Sequence, residues 1–214
     1  MVLEQYRGKW LKVGGMGKRE ILLLLAGVGI FAVTLWRQNQ LQQWEHDPTR
    51  KVVAIRALAP RFTLADHNRN VVKLERMLGR HQVVLVFFDA ELGVDRDPRT
   101  KSLIENFEAI NRAGFEIIAV GTATPYANEE AEKRLGVELP FPVVTDIDIN
   151  DPAPSPAHRK YGLFDLQTGK PSTGLFLIER DGTLPIVTEG TPIAVKDEAA
   201  ALKTLAEGKW PGLK

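Results

Sequence analysis

Residues 81–101 read HQVVLVFFDAELGVDRDPRTK. Val83 to Phe88 is an unbroken apolar run, the pattern of a strand buried on both faces. Asp97 is a good helix N-cap, and Pro98 fits the first helical position with its fixed φ and missing N–H. Leu103, Ile104, Phe107 and Ile110 follow at helical spacing, and Gly114 supplies the residue that ends the helix. Strand, charged loop and helix form a unit whose loop is the usual place for chemistry. This loop holds no Cys, Ser or His.

The same unit recurs downstream. Phe115 to Gly121 predicts a second buried strand, Ala127 to Leu135 a short helix ending at Gly136, and Phe141 to Thr145 a third strand entered through prolines. Upstream, Ala59 to Leu64 and Val71 to Leu74 predict a hairpin across ADHNRN, followed by a helical turn over Glu75 to Leu78. Gly174 to Glu179 and Thr183 to Thr188 predict a second hairpin across Arg180-Asp181-Gly182, and residues 196–207 a closing helix. Asp146 to Lys160, rich in proline, reads as an irregular insertion. Strands alternating with helices, then a hairpin and a helix, imply an α/β sandwich around a mixed sheet.

Ahead of this domain, residues 21–36 read ILLLLAGVGIFAVTLW, with no polar face and no small-residue cleavage pattern after it. At about 1.5 Å per residue the run spans roughly 24 Å, and flanking Arg and Lys can snorkel to complete a crossing of a roughly 30 Å core. Trp36 and Trp44 suit an interfacial belt. Arg7, Lys9, Lys12, Lys18 and Arg19 precede the run, against Arg37, Arg50 and Lys51 after it. That bias places the N-terminus in the cytoplasm and the domain on the periplasmic, lumenal or otherwise extracytoplasmic side. The expected organisation is a basic segment at 1–20, a transmembrane anchor at 21–36, a stalk at 37–54, the domain at 55–207 and a tail at 208–214.

A net charge of +1 gives no basic field for nucleic acid. The cysteine count is zero, which removes disulfides, thiolate-ligated metals and any thiol nucleophile.

The ordered motifs resemble the peroxiredoxin group, the alkyl hydroperoxide reductase and thiol-specific antioxidant branch of the thioredoxin-like superfamily. Ala59-Pro60 with Phe62, Thr63 and Leu64 is similar to its A-P-x-F-x-L entry, and VVLVFF to its first buried strand. Gly114 to Gly121 is similar to its second strand, and Phe141-Pro142 with Asp146 to F-P-x-x-x-D. Tyr161-Gly162 and Phe176-Leu177-Ile178 with Asp181-Gly182 complete the series, with Glu179 in place of an Asp. The resemblance implies a thioredoxin-like mixed sheet flanked by helices, behind a single transmembrane helix.

It also implies a P-x-x-x-T/S-x-x-C signature, in which the Cys attacks peroxide as thiolate. Asp89 stands at the Pro position, Gly93 at the Thr position and Arg96 at the Cys position. A thioredoxin-type C-x-x-C would fall on Leu92 and Asp95. The family's arginine before the F-L-I strand falls near Lys170 to Thr173, where no Arg is present. Nucleophile, hydroxyl and arginine are absent together.

Other chemistry stays open. Asp89, Glu91, Asp95 and Asp97 lie near Arg96, Arg99 and Lys101; two carboxylates at a strand end could do acid–base work or bind a cation, or the set could be a solvated loop with Asp97 as cap. The TDIDIND stretch has Asp146, Asp148, Asn150 and Asp151 near a calcium-like alternation, but Asp151 and Ala157 stand where a calcium loop needs Gly and Glu. His46, His67, His81 and His158 lack ligand spacing and read as surface or turn histidines. Gly14, Gly15 and Gly17 read as a hinge. No cofactor and no metal is expected. The sequence points to a membrane-anchored, non-catalytic interaction or structural module with a protein partner on the far side. The alternative is an antioxidant or oxidoreductase-type enzyme using Asp89, Glu91 and Arg96.

Overall fold

The computed structural model describes residues 55–147, 155–187 and 190–211. The apolar run at 21–36, its flanks, His46, the Gly14–Gly17 hinge, Asp148, Asn150 and Asp151 lie outside the described residues. No helix among the described residues is long and apolar enough to cross a membrane.

In chain order the elements are β1 (Ile55–Leu58), β2 (Thr63–Asp66), β3 (Val71–Lys73), a 3-10 turn (Leu74–Arg76), β4 (Gln82–Phe87), α1 (Pro98–Glu105), α2 (Phe107–Arg112), β5 (Phe115–Gly121), α3 (Pro125–Leu135), β6 (Val143–Thr145), α4 (Pro156–Lys160), β7 (Phe164–Asp165), β8 (Lys170–Pro171), β9 (Gly174–Ile178), β10 (Thr183–Ile186) and α5 (Glu198–Ala206). Six strands form the main sheet in the order β3-β2-β6-β5-β4-β9. β4 is parallel to β5 and β5 to β6, with β9 and β2 antiparallel to their neighbours.

The central strands alternate between two cores. Val84, Val86, Ile117, Ala119, Leu175 and Leu177 face one side, where Leu103, Ile110, Ala131 and Leu205 cover them. Val83, Leu85, Phe87, Ile118, Val120, Phe176 and Ile178 face the other, against Phe62, Leu74, Tyr161 and Leu184. A sheet covered on both faces explains why β4 is apolar at successive positions rather than every second one. Each large side chain fully buried here contributes about 1.5–3 kcal/mol. Phe87 meets Tyr161 and Phe176 with ring centroids 5.2 and 5.7 Å apart. The Tyr161 hydroxyl donates to the Pro60 carbonyl at 3.0 Å, and burial pushes its phenol pKa up.

Several expectations are corrected. The hairpin at 174–188 keeps its turn, with Glu179 N–H donating to Thr183 O at 2.8 Å. Past that turn β10 leaves β9 and pairs antiparallel with β1, because Leu184 and Ile186 are buried in the second core. The helix expected to run unbroken from Pro98 divides at Asn106 (φ −111°, ψ 13°), whose side-chain amide donates to Ser102 O at 2.8 Å. The insertion at 146–160 is not wholly irregular, since it ends in α4. Packing also continues past 207: the Trp210 ring lies 5.1 Å from that of Phe115.

Candidate functional site

β4 delivers the chain to the loop at 88–97. Phe88 N–H still donates to Val120 O at 3.0 Å, and its ring lies over Gly121. The loop then winds back on itself. Asp89 Oδ1 accepts Glu91 N–H at 2.8 Å, Gly93 N–H donates to Asp89 O at 3.0 Å, and Asp97 N–H donates to Gly93 O at 2.9 Å. Val94 is fully buried and pins the loop to the first core. Gly93 has φ +87°, a backbone that side-chain-bearing L residues rarely adopt. A Cβ there would also sit 2.9 Å from Asp95 Oδ1. The hydroxyl residue implied at this position by the resemblance does not suit this loop.

Asp97 is the knot. Its side chain is fully buried. Oδ1 accepts Arg99 N–H at 2.8 Å, capping α1, and Oδ2 accepts Asp89 N–H at 3.0 Å. The Arg99 guanidinium turns back to Oδ2 at 3.3 Å and reaches Glu198 of α5 at 2.6 Å. Asp95, with 6% of its side chain exposed, receives two hydrogen bonds from Arg134 of α3, at 2.6 and 2.8 Å. The Arg134 hydrogen bonds hold the Asp95 carboxyl below the usual carboxylate range.

Beside this loop lies a cleft of about 460 Å³, lined by Phe88, Asp89, Glu91, Thr122, His158 and Lys170 among others. Asp89 and Glu91 therefore share one concavity. Arg96 does not line it; its guanidinium lies 3.8 Å from Asp95 with 64% of the side chain exposed. Leu92 is also exposed. The sequence-derived trio of Asp89, Glu91 and Arg96 is not brought together. Lys170, from the segment where the family's arginine would fall, does reach the cleft.

His158 is the residue the sequence reading missed. It is not a surface histidine: only 2% of its side chain is exposed, and Nδ1 lies 2.5 Å from Asp146 Oδ2. Asp146 also accepts the backbone N–H groups of Ala157 and His158, at 2.8 and 3.0 Å. With all these donors converging on it, the Asp146 carboxylate anchors α4 instead of opening a calcium loop. A carboxylate accepting in this way holds a proton on Nδ1 and fixes the direction of the ring. Asp146 belonged to a recognised motif, but its partner twelve residues on obeys no short spacing. His67 sits in the β2–β3 turn as expected, yet is buried, with Nε2 3.0 Å from Glu132 Oε1. Among the described histidines, only His81 has a half-exposed side chain. Among the described residues no cluster of His, Cys, Asp or Glu is arranged to hold a metal.

A mixed sheet with antiparallel β9 beside parallel β4 and β5, and a capped helix leaving the loop after β4, defines a thioredoxin-like protein of peroxiredoxin type. The structure of peroxidoxin BcpB from Mycobacterium tuberculosis superposes with a TM-score of 0.51 at 17% identity, covering 72% of this chain and 96% of that one. The AhpC/TSA family model matches residues 55–186, more than half of the chain, and the chain belongs to that family. Alkyl hydroperoxide reductase E of Mycobacterium tuberculosis is 25% identical over 150 residues, 70% of this chain and 94% of that protein. The selenocysteine-containing peroxiredoxin PrxU of Peptoclostridium acidaminophilum is 24% identical over 141 residues, 62% of this chain and 66% of PrxU.

Proposed function

We propose that this is a membrane-anchored AhpC/TSA domain that has given up peroxide chemistry and serves as a non-catalytic interaction or structural module. The observation that carries the proposal is the absence of cysteine from all 214 residues. Thiol peroxidases need a thiolate to attack the peroxide oxygen and a route to reduce the sulfenate formed. Supporting it, Arg96, at the position of that thiolate, lies outside the cleft, and the loop around it is tied by Asp97 and by Gly93 at φ +87°. The run at 21–36 supports the anchor, and its flanking charges support a domain facing away from the cytoplasm.

The test is a peroxidase assay on the full chain in detergent, with hydrogen peroxide or an alkyl hydroperoxide and dithiothreitol as reductant. Turnover indistinguishable from a protein-free control is expected, and Arg96→Cys stays inactive because position 96 is outside the cleft. Turnover by the wild-type chain overturns the proposal. Affinity capture from membranes separates an interaction role from an isolated domain: a stoichiometric companion is expected, and recovery of the chain alone defeats that role.

One observation favours a second reading. Asp89 and Glu91 line a real cleft with His158 and Lys170, so non-thiol chemistry there would show as activity lost in Glu91→Gln but kept in Arg96→Gln.

A further inference from the structure

The cleft gathers polar groups that have no partner among the described residues. His158 Nδ1 is taken by Asp146, and no group among the described residues partners its Nε2. The imidazole is held rigidly: Phe87 packs on it with centroids 4.8 Å apart, and the carboxylate that fixes Nδ1 is itself fully buried. Nε2 is then the ring nitrogen left to meet a ligand, on a residue that lines the cleft. Glu91 and Lys170 line the same cleft, and neither side chain makes an ion pair or hydrogen bond among the described residues. Asp89 adds a second carboxylate, with one oxygen already occupied by Glu91 N–H.

We propose that this cleft binds a small zwitterion of the amino-acid class, its carboxylate on Lys170 and its ammonium between Glu91 and His158 Nε2. Charge complementarity selects this class. A simple anion would pair with Lys170 but face Asp89 and Glu91. A simple cation would pair with Glu91 but face Lys170. A molecule carrying both signs, with an N–H donor, satisfies all the free groups together. The cleft volume of about 460 Å³ falls within the roughly 300–1,000 Å³ of small-molecule sites. Binding requires no bond to be made or broken, so the proposal stands or falls separately from the absence of peroxidase activity.

The experiment is calorimetric titration of the full chain in detergent with L-alanine, L-leucine and L-glutamate, with acetate and methylammonium as single-charge fragments. Saturable binding of at least one amino acid is expected, with both fragments weaker by about tenfold or more. Glu91→Gln and Lys170→Gln, both on the exposed rim, each weaken binding by about fivefold or more, in keeping with a lost charge-assisted hydrogen bond. Arg96→Gln, outside the cleft, leaves it unchanged. The C2 proton resonance of His158 shifts on saturation. The proposal is overturned if none of the three amino acids binds saturably, if acetate or methylammonium binds as tightly as they do, or if both rim variants bind like wild type.

Discussion

Asp97 shows how one residue can be legible by type and still exceed its sequence reading. As Asp before Pro it announces a helix start, and it does cap α1 through Arg99 N–H. Its second oxygen takes the N–H of Asp89, eight residues earlier, which no local pattern reveals. Removing the carboxylate therefore does more than remove a cap. Asp97→Ala should destabilise the domain by about 3 kcal/mol, from ~1 for the cap and ~1–3 for the stranded Asp89 N–H. Urea unfolding followed by circular dichroism measures it, and a loss no larger than that of an ordinary cap would mean the Asp89 N–H finds another acceptor. Asp95 is a second case. Its folded pKa lies below the ordinary value of 3.8, chiefly through the Arg134 hydrogen bonds. A depressed carboxyl pKa gives stability that is fully present above the unfolded value and is lost as pH falls through the folded one. Arg134→Met should therefore be less stable than wild type near neutral pH. The gap should hold down to about pH 5 and narrow on further acidification as Asp95 protonates. A gap independent of pH would remove the ion pair as its cause.

At the scale of elements, β4, β5, β9 and the start of α1 were readable because burial on both faces leaves a continuous apolar run and because Asp-Pro is a strong local signal. The β1–β10 ribbon was not. Ile55–Leu58 is mostly exposed, so no hydrophobic pattern marks it, and its partner lies at the far end of the domain. The break at Asn106 was hidden because Phe107 and Ile110 keep the helical spacing across it; the backbone turn and the Asn106–Ser102 bond carry the interruption. His158 was hidden for a related reason, since its role depends on a carboxylate at the end of β6. The packing of β4 against β5 gives a direct test of how the cleft is built. An ideal Cβ on Gly121 would lie 2.3 Å from Cζ of Phe88, a ring that lines the cleft. Gly121→Ala should cost about 1–3 kcal/mol, as overpacking does. Adding Phe88→Leu should recover part of that loss, a coupling that a double-mutant cycle detects. Additive losses would show that the ring can move aside freely.

For the whole molecule, the decisive feature is again the lack of cysteine, because it makes the chain ready for single-site labelling. The run at 21–36 is apolar at every position except Thr34, and five basic residues precede it against three after it. That margin argues for an N-terminus in the cytoplasm and a domain beyond the membrane. Leu166, between β7 and β8, is 73% exposed and supports no core contact, so Leu166→Cys adds a reporter without disturbing the fold. In intact cells or sealed vesicles of known orientation, a membrane-impermeant maleimide should label this cysteine from the extracytoplasmic side, and permeabilisation should add little. The same protein should stay with the membrane through an alkaline carbonate wash, as a spanning helix does and an interfacial segment does not. Labelling that appears only after permeabilisation would put the domain on the side of the basic segment. Release by carbonate would remove the anchor itself and leave the AhpC/TSA domain to be explained without a membrane.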